Sequence, residues 1–195
     1  MKIQLLTTDN YKKMPWKNGQ GSTLEIARNH GEGLDDFDWR VSIADVNSAG
    51  SFSFFPNKKR IIGVLDGTGL ILHIDKQNPQ TLNQKEFLAF HGENKVFAEL
   101  LNEPIRDFNL IYNPDKYAAR LQWQNISSVA PWVSDANYIL VFNTMENLKL
   151  DINNTSYELK YFDTILIQND NQSIQIIPEL NTENYNFGII ELFLK

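Results

Sequence analysis

Across its 195 residues the chain alternates short apolar runs with turn residues and nowhere sustains a helical period. Residues 2–7, 23–28, 37–46, 61–65, 69–74, 87–91, 95–101 and 107–112 are rich in Val, Ile, Phe and Leu, with Gly, Asn, Asp and Pro between them. The second half continues the pattern at 138–143, 147–152, 156–160, 163–168, 173–178 and 187–194. Side chains alternate across a strand, so each run offers one face to a core, and many such runs in series predict an all-β sandwich or barrel. Only 116–130 stays undecided, with room for one short helix.

The strands repeat. Leu70, Leu72 and Ile74 fall on Leu148, Leu150 and Ile152 at a shift of 78, and Val96 and Ala98 fall on Ile174 and Ile176 at the same shift. Phe108-Asn109-Leu110-Ile111 falls on Phe187-Gly188-Ile189-Ile190 at 79. Several segments holding nearly one offset point to a duplication. Residues 1–115 are expected to form a first lobe with an N-terminal extension, and 116–195 a second.

Composition removes several function classes. A net charge of −6 argues against a nucleic-acid partner, which needs clustered Lys and Arg. No apolar run approaches 18 residues and no charged-then-apolar leader opens the chain, so a cytoplasmic protein without a membrane partner is expected. With no cysteine there is no disulfide, thiolate chemistry or Cys zinc site. No cofactor is expected.

Polar residues concentrate in the first half. Met14 to Ala27 packs Trp16, Lys17, Asn18, Gly19, Gly21, Thr23 and Glu25 into one segment before an apparent strand. Glycine permits close backbone approach, Asn18 tolerates turn geometry, and Trp16 offers a flat face with one donor. The segment reads either as the lip of a small-molecule site or as a turn whose Trp plugs a barrel end. Farther on, alternation places Trp39, Val41 and Ile43 on one strand face and Arg40, Ser42 and Ala44 on the other. If the small trio faces the lumen, Arg40 is buried and needs a carboxylate partner from protein or ligand; if the apolar trio does, Arg40 and Ser42 face out. Arg60 ends the basic run Lys58-Lys59-Arg60, one member of which is expected to reach inward. Asp107 and Asn109 share a face, either as ligand contacts or as an internal brace for an arginine. The second copy has no Asp–x–Asn pair and no counterpart of Arg60, so any site is expected within 14–112. The second lobe is then structural, or a homodimer surface.

The run MPWKNGxGxTxEIA, with FDWRVSIADV at 37–46 and RDFNLIYN at 106–113, resembles the HutD/Ves family of cupin-like proteins, over most of residues 10–115. Gln20 departs from it, standing where the family more often has glycine. The resemblance implies a double-stranded β-helix (cupin) type fold in two lobes, a link to histidine utilisation or a stress response, and a pocket role for Arg40. It suggests a formylated or formimino-glutamate as ligand. Metal-binding cupins set two His and a Glu in a first motif; here Gly50 and Gly69 frame that spacing and Pro56, Lys58 and Ile62 occupy the ligand places. Only His30, His73 and His91 exist, at spacings that suit no metal template. No bound metal is expected.

Three functions stay open on these residues. The first is a non-catalytic, regulatory binder of a small carboxylate, contacted by Trp16, Lys17, Asn18, Gly19, Thr23, Glu25, Arg40, Ser42, Arg60, Asp107 and Asn109. The second is a metal-free isomerase or lyase with Glu25 or Asp107 as base. The third is a protein-interaction scaffold, in which the polar motifs are structural.

Overall fold

The structure, a computed structural model, describes residues 1–16, 21–126, 130–179 and 185–195. Among these are nineteen strands, one 3-10 turn at Thr8–Asn10 and no α-helix. No helix there is long and apolar enough to cross a membrane. The chain divides into two compact units, Tyr11–Lys116 (the first) and Met1–Asn10 with Tyr117–Lys195 (the second).

Strand β1 (Lys2–Leu6) belongs to the second unit. The first unit holds β2 (Lys12–Pro15), β3 (Ser22–Arg28), β4 (Trp39–Val46), β5 (Gly50–Ser51) and β6 (Lys59–Asp66). It continues with β7 (Gly69–Ile74), β8 (Gln80–Asn83), β9 (Phe87–His91), β10 (Val96–Leu100) and β11 (Ile105–Tyr112). The second unit adds β12 (Tyr117–Ile126), β13 (Trp132–Ser134), β14 (Tyr138–Asn143) and β15 (Asn147–Ile152). It ends with β16 (Thr155–Lys160), β17 (Thr164–Gln168), β18 (Ile174–Pro178) and β19 (Tyr185–Leu194).

Each unit is a two-sheet sandwich. In the first, the sheet β2-β3-β4-β11-β6-β9 packs on β5-β10-β7-β8; in the second, β1-β17-β14-β19-β12 packs on β13-β18-β15-β16. The order β4-β11-β6-β9 matches β12-β19-β14-β17, and β5-β10-β7-β8 matches β13-β18-β15-β16, strand for strand. The inward positions of β7 and β10 (Leu70, Leu72, Ile74, Val96, Ala98) are buried, as are Leu148, Leu150, Ile152, Ile174 and Ile176 on β15 and β18. Burying the Leu, Ile and Val side chains among these contributes about 1.5–3 kcal/mol each.

The repeat differs from the sequence reading in register. Ile74 lies opposite Val96, so a uniform shift of 78 would set Ile152 opposite Ile174; it lies opposite Ile176. A slip of two keeps each side chain on its face, whereas a slip of one reverses it. For that reason the shift of 79 for 108–111 fails. Asp107 and Asn109 face the interior of the first unit, and Phe187 and Ile189 face that of the second, so the offset there is even.

Strands β2, β5, β8, β12 and β13 were not foreseen, and every one is a sheet edge. An edge strand can form on the hydrogen bonds of one neighbour without carrying an apolar run of its own. Where a short helix had room, β12 runs for ten residues beside β19. The N-terminal strand also differs from expectation. β1 pairs with β17 from Lys2↔Gln168 to Leu6↔Thr164, so residues 1–10 group with 117–195 rather than with the first lobe.

Candidate functional site

The site follows from the alternation on β4 and β11. Trp39, Val41 and Ile43 are buried on one face of β4, while Arg40, Ser42 and Ala44 line a cavity of about 360 Å³ inside the first unit. Of the two orientations left open by the sequence, the structure takes the one that buries the arginine. Three cross-strand rows organise this wall. Ile111 lies between Arg40 and Arg60, Asn109 between Ser42 and Ile62, and Asp107 between Ala44 and Val64. Trp16, Thr23, Phe52 and Phe55 also line the cavity.

Both guanidiniums are desolvated, with Arg40 only 8% and Arg60 7% exposed. Aromatic rings support them. Arg40 stacks over Phe37 at 4.8 Å and Phe55 at 5.4 Å, and Arg60 over Phe52 at 4.2 Å and Phe90 at 5.7 Å. Stacking on a ring face leaves the in-plane N–H groups for other acceptors. Arg60 Nε donates to Asn109 Oδ1 at 2.7 Å, and Arg40 Nη1 to the Leu34 carbonyl at 3.3 Å. Arg40 Nε is buried and has no hydrogen-bond partner among the described residues. Desolvation lowers the pKa of both arginines, that of Arg60 to about 10, so Arg60 stays charged at neutral pH. Asp107, only 2% exposed, is pushed the other way, up to about 6; burial outweighs the attraction of Arg60 and the hydrogen bonds from Asn109 and the Ala44 backbone.

Glu25 is a different case. The β3–β4 register slips between Glu25 and Ala27, and this bulge brings Arg28 to the same face as Glu25. Residues three apart on a regular strand would lie on opposite faces. Arg28 then grips Glu25 with two parallel bonds, Nε to Oε1 at 2.7 Å and Nη2 to Oε2. Arg40 Nε stands 4.0 Å from Glu25 Oε2. Glu25 is buried beside Ser42 and is not among the residues lining the cavity, and its carboxylate is occupied.

Of the residues singled out in the sequence, Trp16, Thr23, Arg40, Ser42, Arg60, Asp107 and Asn109 share the one cavity. Lys17, Asn18 and Gly19, with Gln20, lie outside the described residues. Trp16 Nε1 donates to Thr23 Oγ1 at 3.0 Å, and its backbone N–H bonds to the Gly21 carbonyl at 2.9 Å. A Cβ at Gly21 would sit 2.8 Å from the Trp16 ring, so glycine there permits the close approach. His73 sits apart, on the face opposite Leu72 and Ile74, with Nε2 3.1 Å from Glu99. Ile62, at the motif's Glu position, is fully buried in the core, and among the described residues no group of three or more His, Asp or Glu is placed to hold a metal ion.

Phe37, Phe52 and Phe55, which support the arginines, were missed by the sequence reading. The signal for Phe52 and Phe55 was the aromatic run Ser51-Phe52-Ser53-Phe54-Phe55 beside a basic one. Also missed was Glu191, a lone charge in the apolar run Gly188-Ile189-Ile190-Glu191-Leu192. Matching strand starts, Ile105 with Tyr185 and Lys59 with Tyr138, and strand ends, Val46 with Ile126, lays the two sets of rows on each other. In place of Arg40–Ile111–Arg60 the second unit has Arg120–Glu191–Ile139. There Arg120 donates to Glu191 twice, at 2.5 and 2.7 Å, and Ser134 Oγ donates at 2.5 Å. In place of Asn109 and Asp107 stand Ile189 and Phe187, and the corresponding cavity shrinks to about 140 Å³. One copy neutralises its arginine internally and fills its interior; the other leaves two arginines around an isoleucine and a hollow beside them.

Comparison with known proteins agrees with this architecture. The chain is 45% identical over 150 residues to an uncharacterized 21.2 kDa protein in the hutC 3' region of Pseudomonas putida, covering 77% of this chain and 78% of that one. A conserved protein of unknown function from Pseudomonas aeruginosa PAO1 superposes with a TM-score of 0.92 at 37% identity, covering 99% of this chain and 100% of that one. HutD from Pseudomonas fluorescens SBW25, in a formate condition, gives 0.85 at 36% identity with full coverage of both. At the level of fold alone, a cupin 2 conserved barrel domain protein from Leptotrichia buccalis gives 0.56 at 12% identity over 92% of each chain, so the sandwiches are cupin-like. The HutD family model matches residues 8–182, and the chain belongs to the HutD family.

Proposed function

We propose that this chain is a binder of a small carboxylate with a regulatory role in the cytoplasm, connected to histidine utilisation. One observation carries the reading: two desolvated guanidiniums flank Ile111 in a 360 Å³ cavity, and among the described residues no protein carboxylate stands between them. The nearby Glu25 is taken up by Arg28. A buried guanidinium is stabilised by a charge-assisted acceptor, and a planar carboxylate matches its fork in a way a point anion does not. The relative in the hutC 3' region supports the connection to histidine utilisation.

The test is calorimetric titration with short acids from propanoate to glutarate. Wild type is expected to bind at least one of them, and Arg40→Ala or Arg60→Ala to weaken it by about tenfold or more, since removing one partner of a desolvated charge pair costs on the order of 2–5 kcal/mol. Lys149→Ala, in the second unit, is expected to change nothing. No binding by wild type, or unchanged affinity in both arginine variants, refutes the reading.

One observation favours the enzymatic alternative. Asp107, with its pKa near 6, is poised as a general base, whereas Glu25 is tied up by Arg28. Conversion of a bound acid that is lost in Asp107→Asn would favour that reading over the regulatory one.

A further inference from the structure

Within the arginine-lined cavity one buried acceptor is left over among the described residues. Asp107 Oδ1 is buried and has no hydrogen-bond partner among the described residues. Arg60, the nearest inward cation, does not close on it. Its Nε goes to Asn109 Oδ1 at 2.7 Å, and Asn109 stands between the two along β11. Asn109 and the Ala44 backbone donate to the Asp107 carboxylate but leave Oδ1 without a partner, and Ala44 and Val64, in the same row on β4 and β6, offer no side-chain donor. Asp45, next on β4, lies on the other face, 2.6 Å from Arg106 Nε. From the opposing sheet the cavity receives Ser51 and Ala98, both uncharged.

A buried acceptor without a donor is costly, and native interiors rarely keep one. In this cavity it faces the space a ligand would fill, at the end away from the Arg40–Ile111–Arg60 row. The two rows are four residues apart on β11, about 13 Å at the usual strand rise, a gap the long arginine side chains shorten. We infer that the cavity takes a short acid whose far end presents an N–H or O–H donor, and that Asp107 is the residue that selects for this donor. The inference rests on the carboxylate-binding reading and adds a second pole to it. The second unit has Phe187 at this place, so the selecting group belongs to the first copy alone.

Two isosteric acids test it by calorimetry on the full chain. Glutaramate ends in an amide with N–H donors, and 5-oxohexanoate replaces that NH₂ with CH₃. A site built to bond a donor discriminates strongly against the analogue lacking it. Wild type is expected to bind glutaramate at least about tenfold more tightly, and Asp107→Ala to bring the two affinities within about twofold of each other. The wild-type ratio needs no variant, so it stands even if Asp107→Ala folds poorly; Asp107→Asn, whose amide oxygen still accepts, then serves as the second variant and is expected to keep part of the preference. Equal wild-type affinities, or a preference that survives Asp107→Ala, overturn the role of Asp107 while leaving the acid site intact. Failure of both acids to bind at millimolar concentration overturns the acid site and the inference with it.

Discussion

The second unit contains a natural version of the perturbation that should close the cavity. Where Glu191 occupies the central row, it binds the neighbouring guanidinium at 2.5 and 2.7 Å. Ile111→Glu would place the same group between Arg40 and Arg60. A hydrogen bond to a charged group is worth about 1.5–3 kcal/mol net, which at room temperature is roughly a 10- to 150-fold preference for the internal carboxylate over an empty site. A short acid must displace it, so its affinity should fall by about that factor. Losing the buried Ile side chain costs about 1.5–3 kcal/mol and the new charge-assisted bonds return a similar amount, so stability should move little. Calorimetric titration with glutaramate measures the first quantity and urea melts the second. Ile111→Gln, of the same shape without the charge, is the control. Wild-type affinity in a folded Ile111→Glu variant, or an equal loss in Ile111→Gln, would show that the Arg40–Arg60 gap is not the anion site.

Two further outcomes are expected. Asp107 has a folded pKa of about 6, above its usual 3.8, so its contribution is fully present at low pH and is lost as pH rises between about 4 and 6. Two pKa units correspond to about 3 kcal/mol, and urea melts across that window should lose much less stability in Asp107→Asn; equal slopes in the two proteins would contradict the buried-carboxylate account. In the second unit, Arg120→Ala strands the fully buried Glu191 with Ser134 alone and should cost about 3 kcal/mol without changing acid affinity, whereas unchanged stability would mean that the pair is not what compensates Glu191.

Much of this molecule was legible in its residues, because two-residue alternation is a local property. It identified an all-β chain, the duplicated frame of Leu70-Leu72-Ile74 and Leu148-Leu150-Ile152, and the polar first copy, and it set Arg40 beside Ser42 and Asp107 beside Asn109. Alternation defines two faces without saying which is inside. Pairing with β11 and packing between two sheets turned Arg40 inward. Edge strands such as β2 and β13 carry little pattern, since a neighbour's hydrogen bonds hold them. Three features depended on tertiary structure alone: the bulge that joins Arg28 to Glu25, the pairing of β1 with β17, and the row that gives Arg120 a buried glutamate where Arg40 has an isoleucine. In each the decisive neighbour is remote in sequence or displaced by one residue in register, and a one-residue displacement moves a side chain from solvent to core without altering composition.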